Sequence, residues 1–160
     1  MFDITLICMG KLKEKFYLDA AAEYQKRLMG YCRFHLLELP EARLSENPSP
    51  AEIAGGLQKE AELIFPKIPK GAWFCVFTPE GRSLSSEGFA ETLHNVKNSG
   101  KGSACFLIGS SFGMAPEVKK RADFALSMGP MTFPHHLARI MVLEQIYRAE
   151  AIQAGSKYHK

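Results

Sequence analysis

The chain predicts an α/β fold with a mostly parallel sheet flanked by helices. Three observations carry that expectation. Short apolar runs recur along the whole length, segments with helical periodicity separate them, and glycine or proline stands at most junctions. Phe2–Met9 is apolar and partly β-branched, as a first buried strand should be. In Lys15–Met29, Tyr17, Ala21, Tyr24 and Leu28 share one helical face. Cys32–Leu39 sets Cys32, Phe34 and Leu36 against Arg33, His35 and Leu37, a strand alternation. A polar loop, 41–50, carries two prolines. Within Ser49-Pro50-Ala51-Glu52, a capping box has proline at the first helical position, so a helix starts there and runs to about Phe65 although Gly55-Gly56 weakens it. A turn over 66–71 precedes a second apolar run, Trp73–Thr78, and Pro79-Glu80-Gly81 is expected to be loop.

The second half repeats the alternation. Ser85 or Ser86 caps a helix ending near Asn98, with Gly100 as its stop. Ala104–Ile108 is a buried strand, Gly109–Gly113 a glycine-bounded loop, and Pro116-Glu117 opens a short basic helix. Phe124–Met128 is the fifth strand. After the loop 129–134, a long helix runs from His135 to Ala154 and stops at Gly155. It is apolar on most sides, so it belongs between layers or at a subunit interface. No repeat, low-complexity tract or linker interrupts the pattern, which implies a single domain over 1–160.

Composition narrows the function classes. At 160 residues, 46% hydrophobic and 23% charged, the chain is an ordinary globular protein, neither disordered nor coiled-coil. Its apolar runs fall far short of a membrane span, and the start Met1-Phe2-Asp3-Ile4 lacks a secretory signal. The net charge of +3 permits a polyanionic partner without requiring one. Cys8, Cys32, Cys75 and Cys105 are scattered through apolar stretches without a C-x-x-C pair, so they read as reduced, buried thiols of a cytoplasmic protein rather than zinc ligands. Adjacent His135-His136 lack a third ligand in register, and no metal site is expected.

In open α/β sheets, ligands bind outside the carboxyl ends of the strands. The loops after Phe77, Ile108 and Met128 qualify: Thr78–Gly81, Gly109–Gly113 and Gly129–Pro134. All carry glycine, which lets backbone approach a ligand closely. None holds a triphosphate loop or a dinucleotide fingerprint, so a nucleoside-like ligand held by backbone groups suits them best. Gly109-Ser110-Ser111-Phe112-Gly113 also matches the G-x-S-x-G elbow of serine hydrolases, with Asp123 and then His135, His136 or His159 following in hydrolase order. That makes a hydrolase acting through Ser111 an alternative. Arg139, set in a mostly apolar helix, calls for an anionic partner, and the tail Lys157-Tyr158-His159-Lys160 has the residue types that stack on bases and touch phosphates.

Several blocks together resemble a known family: Gly10-Lys11-Leu12-Lys13-Glu14-Lys15, Phe106-Leu107-Ile108-Gly109, Met131-Thr132-Phe133-Pro134-His135, Arg139, Glu144-Gln145-Ile146-Tyr147-Arg148-Ala149 and Tyr158-His159-Lys160. They are similar, in order and over essentially the whole chain, to the RlmH-type ribosomal RNA methyltransferases of the SPOUT class. The resemblance implies a parallel sheet whose C-terminal part forms a trefoil knot, and a homodimer in which the partner completes each site. It implies methyl transfer from S-adenosylmethionine to N3 of a pseudouridine in helix 69 of 23S rRNA, on assembled ribosomes. Carried over by position, the cofactor residues would be Phe77, Gly109, Met128, Gly129, Pro130, Met131, Thr132 and Phe133. His135, Tyr158 and His159 would be the titratable candidates for accepting the N3 proton, with the base unassigned among them. Arg139, Arg148, Lys157 and Lys160 would contact RNA phosphates. The chain departs from the family at Ser110, where the usual pattern after Ile108 is Gly-Gly. A non-catalytic module that binds ribosome or RNA is the alternative this departure raises.

Overall fold

The computed structural model describes residues Met1–Lys160. The chain runs β1 (Asp3–Met9), α1 (Lys15–Leu28), β2 (Arg33–Leu39), α2 (Pro50–Ile64), a 3-10 turn (Phe65–Lys67), β3 (Trp73–Ser83), α3 (Ser86–Asn98), β4 (Ser103–Ile108), α4 (Pro116–Arg121), β5 (Phe124–Ser127) and α5 (His135–Gln153). The strands form one sheet in the order β2-β1-β4-β3-β5, and every strand pair is parallel.

Alternation along the strands sorts the core into two layers. Ile4, Leu6 and Cys8 of β1, Ala104, Phe106 and Ile108 of β4, and Cys75 of β3 face α1, α3 and α5. Ile7 and Met9, Cys105 and Leu107, and Phe74 and Val76 face α2 and α4. Because both faces are covered, these strands read as continuous apolar runs, as buried parallel strands do. The four cysteines are all free and buried. Burial pushes the thiols of Cys8, Cys32 and Cys105 up to about 12 and raises that of Cys75 further, so they act as small apolar fillers.

Local signals set the helix starts. The Ser49 hydroxyl accepts the Glu52 N–H at 3.1 Å while the Glu52 carboxylate accepts the Ser49 N–H at 3.3 Å, completing the capping box ahead of Pro50. At α3, Ser85 is the cap: its hydroxyl accepts the Gly88 N–H at 3.0 Å.

One segment differs from the sequence expectation. Residues 79–81, expected to be loop, belong to β3, which continues to Ser83. Phe77 and Arg82 both stand opposite Leu126 of β5, so the residues between them bulge out of register. Gly81 makes this possible. A Cβ there would lie 2.7 Å from backbone atoms of Ala125 and Leu126, closer than any side chain tolerates. Sequence periodicity cannot register a bulge whose cause is a strand more than forty residues away.

Candidate active site

Phe77, where the bulge of β3 begins, lies beside the carboxyl ends of β4 and β5, because it pairs with both Ile108 and Leu126. Beyond them opens a cavity of about 450 Å3, within the range of small-molecule sites. All eight residues expected to hold the cofactor lie on its wall: Phe77 from β3, Gly109 from the loop after β4, and Met128, Gly129, Pro130, Met131, Thr132 and Phe133 from the segment leading to α5. The bulge directs Thr78, Pro79 and Glu80 into the same wall. Lys119 of α4 pairs with Glu80 and, with a further hydrogen bond from Thr78, holds its carboxyl down at about 2.

The turn after β4 is built for close approach. Ser110 N–H donates to Gly113 O at 3.1 Å and Gly113 N–H to Ser110 O at 2.8 Å. A Cβ at Gly109 would lie 2.3 Å from Gly113 O, so only glycine fits. The hydroxyl of Ser110 donates to the Glu60 carboxylate at 2.7 Å.

His135, the first residue of α5, also lines the cavity. Its Nε2 is 2.9 Å from Glu41 Oε1, within ion-pair range, but the angle is too poor for a hydrogen bond and that ring nitrogen is left without a partner. His136 lies beside it, ring centroids 4.3 Å apart and the rings tilted by 59°. Burial and then the neighbouring His135 and Arg139 lower the His136 pKa below the usual imidazole value.

The other candidates lie elsewhere. Arg139 is 1% exposed. Its guanidinium donates to Glu38 at 2.6 Å and to the Gly10 carbonyl at 2.9 Å, while Nε has no acceptor. Within one chain the group is enclosed and already occupied, joining α5 to the ends of β1 and β2. Tyr158 and His159 do not reach the cavity within the same chain. The Tyr158 hydroxyl donates to Glu144 at 2.9 Å. His159 stands 3.1 Å from an Arg148 nitrogen and 2.7 Å from Glu87. Those contacts cluster around Arg148, about 20 Å along α5 from His135 at about 1.5 Å per residue. Arg148 itself is half-buried, paired with Glu144 at 2.7 Å and lying over the Tyr158 ring, whereas Lys157 and Lys160 are exposed.

The hydrolase alternative fails on geometry. Asp123 accepts the Phe74 N–H at 2.8 Å at the entry to β5. The nearest acidic partners of His135, His136 and His159 are Glu41, Glu14 and Glu87. No serine–histidine–aspartate relay is assembled around Ser111. No group of three or more histidine, cysteine or acidic side chains could hold a metal, and no helix is long and apolar enough to cross a membrane.

A parallel sheet with a glycine-bearing cavity at its carboxyl edge is the arrangement in which open α/β proteins bind their ligands. The family described as "Predicted SPOUT methyltransferase" matches residues 2–159, and the chain belongs to that family. Similar proteins include the "Ribosomal RNA large subunit methyltransferase H" of Ligilactobacillus salivarius (strain UCC118), 43% identical over 99% of both chains. The proteins of the same description from Carboxydothermus hydrogenoformans and Streptococcus mutans serotype c are 42% and 44% identical, covering 99% and 98% of this chain and 99% of each relative. Among solved structures, "a probable methylase family protein" from Haemophilus influenzae Rd KW20 shares the fold with a TM-score of 0.51 at 17% identity, over 99% of this chain and 70% of that one.

Proposed function

We propose that this SPOUT methyltransferase transfers the methyl group of S-adenosylmethionine to N3 of a pseudouridine in helix 69 of 23S rRNA, on assembled ribosomes in the cytoplasm. The observation that carries the reading is the convergence of Phe77, Gly109 and Met128–Phe133 on one cavity. The relatives named as large-subunit ribosomal RNA methyltransferases support the substrate.

The residues present fit the cofactor. Phe77, Ile108, Met128 and Phe133 offer apolar surface for an adenine ring, and Gly109 and Gly129 bring backbone to the cavity wall. Bound there, S-adenosylmethionine supplies an electrophilic methyl on a sulfonium. The protein's own work is positional: the walls exclude water and hold the two reactants in line, which supplies much of the barrier reduction. N3 must also lose a proton. Of the three titratable candidates, His135 alone lines the cavity within one chain, which makes it the group placed to accept that proton.

The whole of 1–160 acts as one catalytic domain, with the segment after β5 threaded as the family's knot. The active form is a homodimer, in which the Lys157–Lys160 tail of a second copy reaches the cavity that its own chain cannot supply. Lys157, Lys160 and Arg148 then meet the RNA backbone.

Incubation with labelled S-adenosylmethionine and ribosomes lacking the modification tests this. Label in 23S rRNA at a pseudouridine is expected. Cofactor binding without label would replace the enzyme by a non-catalytic ribosome-binding module.

A further inference from the structure

Glu60 of α2 has no part in the chemistry above, yet it is 4% exposed and pairs with no cation. Burying a carboxylate is unfavourable unless its oxygens are well supplied with donors. Here each oxygen has one, and the two donors come from different loops. Oε1 accepts the Ser110 hydroxyl at 2.7 Å, from the turn that walls the cavity. Oε2 accepts the Ala42 N–H at 2.9 Å, from the segment between β2 and α2. Glu41, the next residue, carries the carboxylate beside His135.

A second observation bears on the same turn. Behind it lies another cavity, of about 390 Å3, lined by Leu44, Gly56, Leu57 and Glu60. Ser110, Ser111 and Phe112 line both cavities, so they form a partition open on two sides, and Phe112 is 49% exposed. Packing therefore does little to hold this partition. What fixes it is the closure between Ser110 and Gly113 and the bond to Glu60.

We infer that Glu60 is a positioning residue that latches the Gly109–Gly113 turn against the cofactor cavity through the Ser110 hydroxyl and ties that turn to the segment between β2 and α2 through the Ala42 N–H. The inference rests on the cofactor reading above. It also gives Ser110 a purpose: its hydroxyl is committed to Glu60 and supplies the latch.

The test uses Ser110→Ala, Ser110→Thr, Glu60→Gln and the Glu60→Gln/Ser110→Ala double variant. Readouts are calorimetric S-adenosylmethionine affinity, thermal midpoint, and hydrogen exchange at the amides of Ala42, Ser110 and Gly113. Ser110→Ala should weaken cofactor binding about tenfold, the factor carried by one hydrogen bond to a charged group, and speed exchange at Ser110 and Gly113. Glu60→Gln has one acceptor oxygen for two donors, so it should do the same and also speed exchange at Ala42. The double variant should be no worse than Glu60→Gln, and Ser110→Thr should restore parental values. Affinities within twofold of the parent and unchanged exchange, with only the thermal midpoint lowered, would overturn the latch. If the parent itself binds no S-adenosylmethionine, the cofactor reading fails. Exchange then decides the latch by itself, and unaltered rates at Ser110 and Gly113 in Ser110→Ala overturn it.

Discussion

At Arg139, two acceptors and almost complete burial hold the guanidinium within the fold. Its partner Glu38 also accepts the Leu12 N–H at 3.1 Å, so one ion pair organises the start of the segment after β1. Arg139→Ala would strand Glu38 and the Gly10 carbonyl. The expected loss is about 3 kcal/mol of stability, read as a lower denaturation midpoint; an unchanged midpoint with weakened ribosome binding would return the residue to RNA recognition. His136 contributes a pH dependence. Its folded pKa lies below the ordinary value of about 6.5, so the unfolded chain binds more protons in that interval. Stability is then full above pH 6.5 or so and falls as the solution is acidified towards the lower folded value. His136→Gln should flatten that part of the profile in chemical denaturation between about pH 7 and 5; an identical slope would remove His136 as its source.

At the scale of elements, α5 joins the layer. Residues 135–153 have no exposed position, and the helix packs between α1 and α3. Glu150, 4% exposed, accepts two hydrogen bonds from Lys97 of α3 at 2.6 and 2.8 Å, and Lys97 also reaches Gln153 at 3.1 Å. Breaking one side of such a pair leaves an uncompensated buried charge. Lys97→Ala should therefore cost about 3 kcal/mol, while Lys97→Arg should recover part of it. Equal midpoints for parent and Lys97→Ala in urea titrations would show that the pair is neutral. The capping box at Ser49 and the Gly81 bulge mark two limits of local signal. The first is complete within four residues, so sequence shows it; the second needs β5 beside it.

For the whole molecule, the distance between His135 and the tail is the governing fact. One chain places Tyr158 and His159 against Glu144, Arg148 and Glu87, at the far end of α5 from the cavity. These contacts lie at the periphery, so removing Tyr158-His159-Lys160 should leave the fold and the cofactor cavity in place while abolishing methylation. Circular dichroism and the ribosome assay check the two halves of that statement, and an active truncated enzyme would exclude the tail from the reaction. Sedimentation should give twice the chain mass of 17.8 kDa for the active form; activity at the monomer mass would refute the dimer.

Element order, the capped helix starts, the buried thiols and the loops after β4 and β5 were legible in the chain, because each follows from short-range periodicity, turn chemistry or apolar character, whereas residues 79–81 belong to the bulged β3. Ser110 and Arg139 were visible as residues but not as roles. What each touches lies 50 and 101 positions away, a separation that no local pattern encodes. Only the tertiary structure decided that the Ser110 hydroxyl meets a buried carboxylate, that Arg139 is a clamp, and that Tyr158 and His159 sit apart from His135. Burial and long-range pairing set the chemistry of a polar side chain, and both come into being when the sheet orders β2, β1, β4, β3 and β5 side by side.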